Sequence, residues 1–244
     1  MITIRLLLGR MDKIAKLIYL TQMPLLDDLK PQVDATIDAL SATEFRVDPI
    51  AGSLFSRVVS VLSSAYKRHG KIIEDALLEC LRTNDRYEVW QVEQFGIQQQ
   101  ALTTVAAAQN NPDSLDNTHL PYVGDGNGDS HIQIDAVVFD HETGIVSAYE
   151  IKRGNGRFDA GKQRSIKRDA LLAKILLRSH SEQRGLVPNA TRTHVIFYYG
   201  VRSIPAPIGL IGEELDEHFG MPIWGPVETV NAYYRSRLFD IISR

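Results

Sequence analysis

The stretch that decides the fold covers residues 132–152 and reads Ile-Gln-Ile-Asp-Ala-Val-Val-Phe-Asp-His-Glu-Thr-Gly-Ile-Val-Ser-Ala-Tyr-Glu-Ile-Lys. Two runs rich in β-branched and aromatic residues, 132–140 and 145–152, are separated by His-Glu-Thr-Gly at 141–144. Strand-forming runs joined by so short a polar link containing glycine are typical of two strands that pair antiparallel. The stretch therefore predicts a β-hairpin.

Three charged side chains stand on this predicted hairpin. Glu150 and Lys152 are two residues apart and project from the same strand face, and the turn brings Asp135 of the first strand alongside them. Two carboxylates this close repel one another unless a cation lies between them, and hard oxygen ligands favour Mg²⁺, with Mn²⁺ as a substitute. An exposed salt-bridge trio on an edge hairpin is the other interpretation of the same residues.

The elements outward from the hairpin indicate an α/β (α+β) fold, a mixed β-sheet flanked by helices with an N-terminal helical extension. We expect a helical arm over residues 1–66 and a core over 67–244, with a loop insertion over 96–130. The predicted elements are helices within 2–66, a helix over 71–82 that begins at Gly70, strands over 86–94 and 193–199, and helices over 159–178, 212–218 and 227–242.

Composition narrows the class of protein. The chain has 244 residues, 44% of them hydrophobic and 23% charged, as in ordinary globular proteins. A single cysteine, Cys80, excludes an internal disulfide and a multi-cysteine zinc site. No apolar run of about 18 residues predicts a membrane span, and no secretory signal is recognised, so we expect a cytoplasmic protein.

Charge is distributed unevenly along the chain. The net charge is −3, yet residues 150–184 hold ten Lys/Arg and four Asp/Glu. Such a segment is either a phosphate-facing surface or the solvated side of an amphipathic helix. Glu74, in contrast, borders the apolar stripe of the helix predicted over 71–82, where a carboxylate needs a partner.

These features occur in an order that resembles the PD-(D/E)XK nuclease superfamily, the restriction-endonuclease-like fold. An acidic helix residue, Asp135, a fourteen-residue gap, Glu150-Ile151-Lys152 and a basic helix follow one another over roughly residues 66–200. Ile134 stands where many members have proline, and Gln163 followed by Lys167 loosely matches the glutamine-tyrosine motif of recombination-type members.

The resemblance implies a magnesium-dependent DNA endonuclease. Asp135, Glu150 and the main-chain carbonyl of Ile151 would hold Mg²⁺, Glu74 would act through water or a second metal ion, and Lys152 would orient the attacking water. Cleavage would leave a 5′-phosphate and a 3′-hydroxyl. The residues expected to contact backbone phosphates are Lys162, Arg164, Lys167 and Arg168. Residues expected to support the site or touch the substrate are His131, Gln133 and Gln163.

Several functions remain open within this hypothesis. A stand-alone restriction-type enzyme that cuts double-stranded DNA is favoured, because no helicase, methyltransferase or ATPase motif accompanies the core, and a homodimer would supply two sites for two strands. Repair, transposon-end and structure-specific nucleases are alternatives within the same enzyme class. A catalytically silent module that binds DNA or protein is the alternative from another class.

Overall fold

The computed structural model of the chain describes residues 13–108 and 111–243, and for residues 13–24 and 54 it describes the backbone alone. The helix predicted to begin near residue 2 therefore lies partly outside the described residues. The elements in chain order are α1 (Lys13–Ala42), α2 (Gly52–Arg82), β1 (Tyr87–Ile97), α3 (Gln99–Ala107), a 3-10 turn (Pro112–Leu115), β2 (Ser130–Asp140), β3 (Ile145–Lys152), α4 (Ala160–Gln183), β4 (Ala190–Phe197), β5 (Gly209–Ile211), a 3-10 turn (Gly212–Glu214), α5 (Leu215–Phe219) and α6 (Trp224–Ile242).

The chain forms two compact units, and their boundary differs from the predicted one. Among the described residues, 13–80 together with 219–243 form a helical unit, and those within 81–218 form a sheet unit. The boundary predicted from the sequence lies at 66/67 and assigns the C-terminal helix, predicted over 227–242, to the core. The structure instead packs α6 with α1 and α2: the Tyr233 hydroxyl donates to Asp34 at 2.7 Å, and the Tyr234 hydroxyl donates to the Ala65 carbonyl at 3.0 Å.

Helix α2 also corrects the sequence-based prediction. The helix expected to begin at Gly70 is continuous with the helix that precedes it, and Gly70 lies inside α2. A glycine in a helix interior costs about 1 kcal/mol relative to alanine. Burial of a long apolar face on both sides of Gly70, including Val61, Ala65, Ile72 and Ile73, outweighs that cost.

The sheet unit confirms the expected mixed α/β class. Its five strands lie in the order β1-β2-β3-β4-β5. The first three pair antiparallel, whereas β3 with β4 and β4 with β5 pair parallel. The parallel pair β3 and β4 is connected through α4, whose apolar side chains Leu172, Ala173 and Leu176 pack in one cluster with the sheet residues Val137 and Ala148. The first turns of α4 lie near the open end of the hairpin, the end away from its turn, where Asp135 and Glu150 lie.

The insertion predicted over 96–130 contains α3 and the 3-10 turn Pro112–Leu115, and its described residues from 116 to 129 are irregular but anchored. Tyr122 is buried, its main-chain N–H donates to the Ser179 hydroxyl of α4 at 3.0 Å, and its own hydroxyl accepts from the Gly96 N–H at 3.0 Å. A Cβ at Gly96 would lie 2.1 Å from the Asn127 carbonyl oxygen, so only glycine permits this close approach. The segment is thereby fastened to β1 and to α4.

Candidate active site

The site forms where the hairpin stops pairing. The ladder between β2 and β3 runs from Asp140–Ile145 at the turn to Ala136–Tyr149 and ends there. Beyond that pair, β2 continues beside β1 and β3 continues beside β4, so the two strands separate. Asp135 and Glu150 occupy the first positions past the last pair. The sequence pattern predicted the shared face correctly, but it gave no indication of the gap.

Asp135 bridges that gap. Its Oδ2 accepts a hydrogen bond from the Ile151 main-chain N–H at 2.7 Å and thereby replaces a missing rung of the ladder. Because the N–H and C=O of one strand residue project to the same side, the Ile151 carbonyl also faces the gap. No hydrogen bond to Oδ1 of Asp135 is found among the described residues, so this oxygen is available to a further ligand.

Lys152 lies between the two carboxylates. Its Nζ is 3.5 Å from Oδ2 of Asp135 and forms an ion pair with Oε1 of Glu150. The side chain of Asp135 is 9% exposed, and those of Glu150 and Lys152 are 30% and 27% exposed. The predicted trio is therefore brought together, and it is largely buried rather than an exposed salt bridge.

Electrostatics at the trio leave one negative charge in excess. Burial and the negative charge of Asp135 raise the pKa of Glu150, against the opposing effect of Lys152. Burial by itself lowers the pKa of Lys152, but the charges of Glu150 and Asp135 outweigh it and the pKa is raised. The site therefore favours additional positive charge near its carboxylates.

The donor set fits a hard divalent cation. It offers carboxylate oxygens from Asp135 and Glu150 and, in the same gap, the Ile151 carbonyl, which are oxygen ligands of the kind that Mg²⁺ prefers. Within residues 13–108 and 111–243, no three side chains of His, Cys, Asp or Glu come together as a metal-binding group. The remaining ligands would therefore be water or substrate oxygens, as is usual for Mg²⁺ bound through one or two carboxylates.

The trio lines a pocket of about 290 Å³ between β2, β3 and the start of α4. Lys162 and Arg168 also line it, and the charge of Lys162 lowers the pKa of Glu150. Lys162 makes no ion pair within the described part of the chain, whereas Arg168 donates to Asp169 at 2.8 Å. Two of the four predicted phosphate contacts thus face the pocket. The other two, Arg164 and Lys167, are exposed.

The three supporting residues predicted from the sequence are placed differently. His131 and Gln133 are exposed and line the pocket along the strand that carries Asp135. Gln163 instead uses its side-chain amide to donate to the Phe158 carbonyl at 2.7 Å, just before α4 begins. Its contact is therefore structural in this state.

Glu74 belongs to the helical unit. It is 8% exposed, and the Lys71 ammonium donates to its Oε1 at 2.6 Å. The partner that a carboxylate requires there is thus supplied within α2. A role of Glu74 as a metal ligand stays a prediction.

Sequence reasoning missed that Tyr149 and His194 also line the pocket. Neither residue is among the site residues predicted from the sequence. The parallel register pairs Tyr149 with His194, and the Tyr149 hydroxyl lies 2.9 Å from Nε2 of His218. Nε2 of His194 is buried and has no hydrogen-bond partner among the described residues. Only the register of β4 against β3, which the sequence does not encode locally, could have revealed this group.

None of the known family models, curated proteins or solved structures matches this chain. Across the described residues, no helix combines the length and apolar character needed to cross a bilayer.

Proposed function

We propose that the protein is a magnesium-dependent DNA endonuclease, a restriction-type enzyme that hydrolyses phosphodiester bonds of double-stranded DNA. The observation that carries the proposal is the convergence of Asp135, Glu150 and Lys152 where β2 and β3 separate, in a pocket that Lys162 also lines. A free carboxylate oxygen, an available main-chain carbonyl and an excess negative charge support a cation site there.

Each residue of the site has a separate role in the proposed reaction. Asp135, Glu150 and the Ile151 carbonyl would hold Mg²⁺, and Lys162 would contact a backbone phosphate at the pocket wall. Magnesium bound there would polarise a phosphate oxygen and lower the pKa of a bound water. The Lys152 ammonium would orient the attacking water and neutralise charge that develops on the phosphate oxygens. The attacking water would release a proton to solvent and its oxygen would form a bond to phosphorus as the bond to the 3′-oxygen breaks. The leaving 3′-oxygen would take up a proton from solvent, which leaves a 5′-phosphate and a 3′-hydroxyl.

One observation favours a second candidate, a catalytically silent module that binds DNA. Lys152 already forms ion pairs with both carboxylates, so the trio is stable without a metal ion. In such a module the pocket would receive a phosphate or another anion through Lys162, and divalent cations would not change its behaviour.

Isosteric variants separate the two candidates. Asp135→Asn keeps an oxygen that can accept from the Ile151 N–H, and Glu150→Gln keeps the size of the side chain, so both should fold. For the nuclease we expect each to lower Mg²⁺-dependent cleavage of plasmid and phage DNA by about 100-fold or more, since a lost ligand removes several kcal/mol of transition-state stabilisation.

The matched control is Glu142→Gln, which makes the same chemical change at the exposed turn of the same hairpin. It should cut at the wild-type rate. Cleavage by either site variant at more than a tenth of the wild-type rate would contradict the site assignment. Absence of cleavage by the wild type, together with no Mg²⁺ or Mn²⁺ binding by calorimetry, would instead support the silent module.

A further inference from the structure

The exposed face of α2 in the helical unit carries charge of one sign. No Asp or Glu occurs from residue 51 to residue 73, whereas Arg57, Lys67, Arg68 and Lys71 do. Lys71 is engaged by Glu74 and Asp75 at 2.6 and 3.0 Å. Arg57, Lys67 and Arg68 are exposed, and no ion pair to any of them is found among the described residues.

Cations elsewhere in the described residues are of both kinds. Arg86, Lys174 and Arg237 each contact a carboxylate, whereas no ion pair to Lys162 is found. A surface side chain costs conformational entropy when it is fixed, so an unpaired cation is ordinary on its own. Three unpaired cations on one helix, without a single acidic neighbour on that stretch, instead create a local positive field that a polyanion can use.

The remaining exposed residues of this face suit a nucleic acid. Phe55, Val59 and Tyr66 lie within about 40° of one another around the helix axis and are 59%, 52% and 48% exposed. Ser63 lies between this stripe and Lys67, and three further serines lie among the cations; their hydroxyls can donate to phosphate oxygens: Ser53, Ser60 and Ser64. An anionic membrane would require a broader apolar face than three side chains bordered by serines.

We propose that the exposed face of α2, through Arg57, Lys67 and Arg68, is a second nucleic-acid-binding surface that contacts the phosphate backbone. Tyr66, which lies about 100° from Lys67 around the helix axis, adds apolar contact with sugars or bases at the edge of this face. The inference rests on the proposed function for its choice of DNA as the ligand. It adds contacts that the sequence-based prediction confined to α4.

The test measures binding without cleavage. Full-length Glu150→Gln protein is titrated against a fluorescently labelled random-sequence duplex in EDTA over a range of KCl concentrations. Adding Arg57→Gln, Lys67→Gln and Arg68→Gln should weaken binding about 10-fold or more at low salt and flatten the logarithmic salt dependence by about two to three units. The matched control replaces Lys30, Arg192 and Arg235, three exposed cations outside this face, with Gln and should stay within about twofold.

Equal losses in the α2 and control triples would overturn the proposal, because a general charge effect would then explain both. An unchanged salt slope in the α2 triple would also overturn it. Circular dichroism of both triples establishes that they fold. Because the assay excludes metal and cleavage, a protein that binds duplex through α2 but never cuts would uphold this inference and contradict the proposed nuclease.

A second pair of variants tests the apolar part. Tyr66→Ala should weaken duplex binding about 5- to 10-fold with an unchanged salt slope, because stacking and apolar contact do not release counterions. Phe239→Ala, which removes an aromatic ring that is 69% exposed on α6, is the control and should bind as the parent does. If Tyr66→Ala instead alters the sedimentation coefficient or binding to phosphatidylserine vesicles while duplex affinity is kept, the face serves self-association or a membrane and the proposal fails.

Discussion

The two ends of the β2–β3 hairpin each hold carboxylates beside a basic side chain, yet they are built for different purposes. At the turn, Asp140 accepts from Nε and Nη2 of Arg86 at 2.9 and 2.6 Å and from the Glu142 N–H at 2.9 Å. These bonds hold the pKa of Asp140 at about 2. At the open end, Asp135 and Glu150 share Lys152, and the pKa of Glu150 is raised.

The difference follows from the ladder. Where the strands pair, the carboxylate finds donors in a turn and in a neighbouring arginine, and its charge is fully satisfied. Where the strands separate, burial removes water without supplying enough donors, so the charge stays in excess. Carboxylates of the first kind stabilise the fold, whereas those of the second kind can bind a cation or react.

Among the substitutions considered at the two ends of the hairpin, we expect the greatest loss of activity at Lys152. We expect Lys152→Ala to lower the single-turnover cleavage rate by two or more decades, about 3 kcal/mol, while duplex affinity changes by a few fold, as for a lost charge-stabilising group. Arg86→Gln at the other end should leave the rate unchanged. If duplex affinity and cleavage rate fell together in Lys152→Ala, Lys152 would be a phosphate-binding residue only. Lys152→Gln repeats the measurement with little change in side-chain size, so that a packing defect is not mistaken for the loss of the charge.

A smaller effect is expected at the turn of the hairpin. There a substitution should change the free energy of unfolding and leave the cleavage rate as it is. The lowered pKa of Asp140 means that its stabilisation is complete above the unfolded-state value of 3.8 and is lost as pH falls through about 2. Asp140→Asn should therefore lower the free energy of unfolding by at most about 2 kcal/mol at pH 7, and the difference should shrink below about pH 4.

Urea unfolding at a series of pH values measures this difference. Cleavage by folded Asp140→Asn protein should match the wild type. A pH-independent loss of stability would show that hydrogen-bond geometry, not charge, dominates at Asp140, and a loss of cleavage would erase the contrast between the two ends.

Some features of the hairpin could be predicted from the sequence and others could not. The period-two pattern predicted its strands and the common face of Glu150 and Lys152, because both depend on local geometry. The separation after the Ala136–Tyr149 pair depends on β3 pairing with β4, 45 residues further along (Tyr149 with His194), and no local pattern encodes it. The same holds for α6, whose partner Asp34 lies about two hundred residues away.

The smallest effect concerns the basic side of α4. Replacing Lys162, Lys167 and Arg168 with Gln should flatten the logarithmic salt dependence of duplex binding by about two to three units. Among single variants, Arg168→Gln should change the slope least, because its guanidinium is already held by Asp169. Lys174→Gln, on the same helix but paired with Asp116 at 2.5 Å, is the control. An unchanged slope in the triple variant would make this side of α4 a solvated surface.

Because Asp135 accepts the hydrogen bond from the Ile151 N–H, it satisfies a main-chain donor in addition to its proposed role as a cation ligand, whereas Glu150 has only the proposed role. A change at 135 that removes the acceptor leaves a buried main-chain donor unsatisfied, whereas a change at 150 removes only a partly exposed acid. Under selection for folding alone, position 135 would tolerate only Asp and Asn, whereas position 150 would tolerate many residue types. Loss of the proposed cation site with retention of the fold is therefore expected first through substitutions at residue 150.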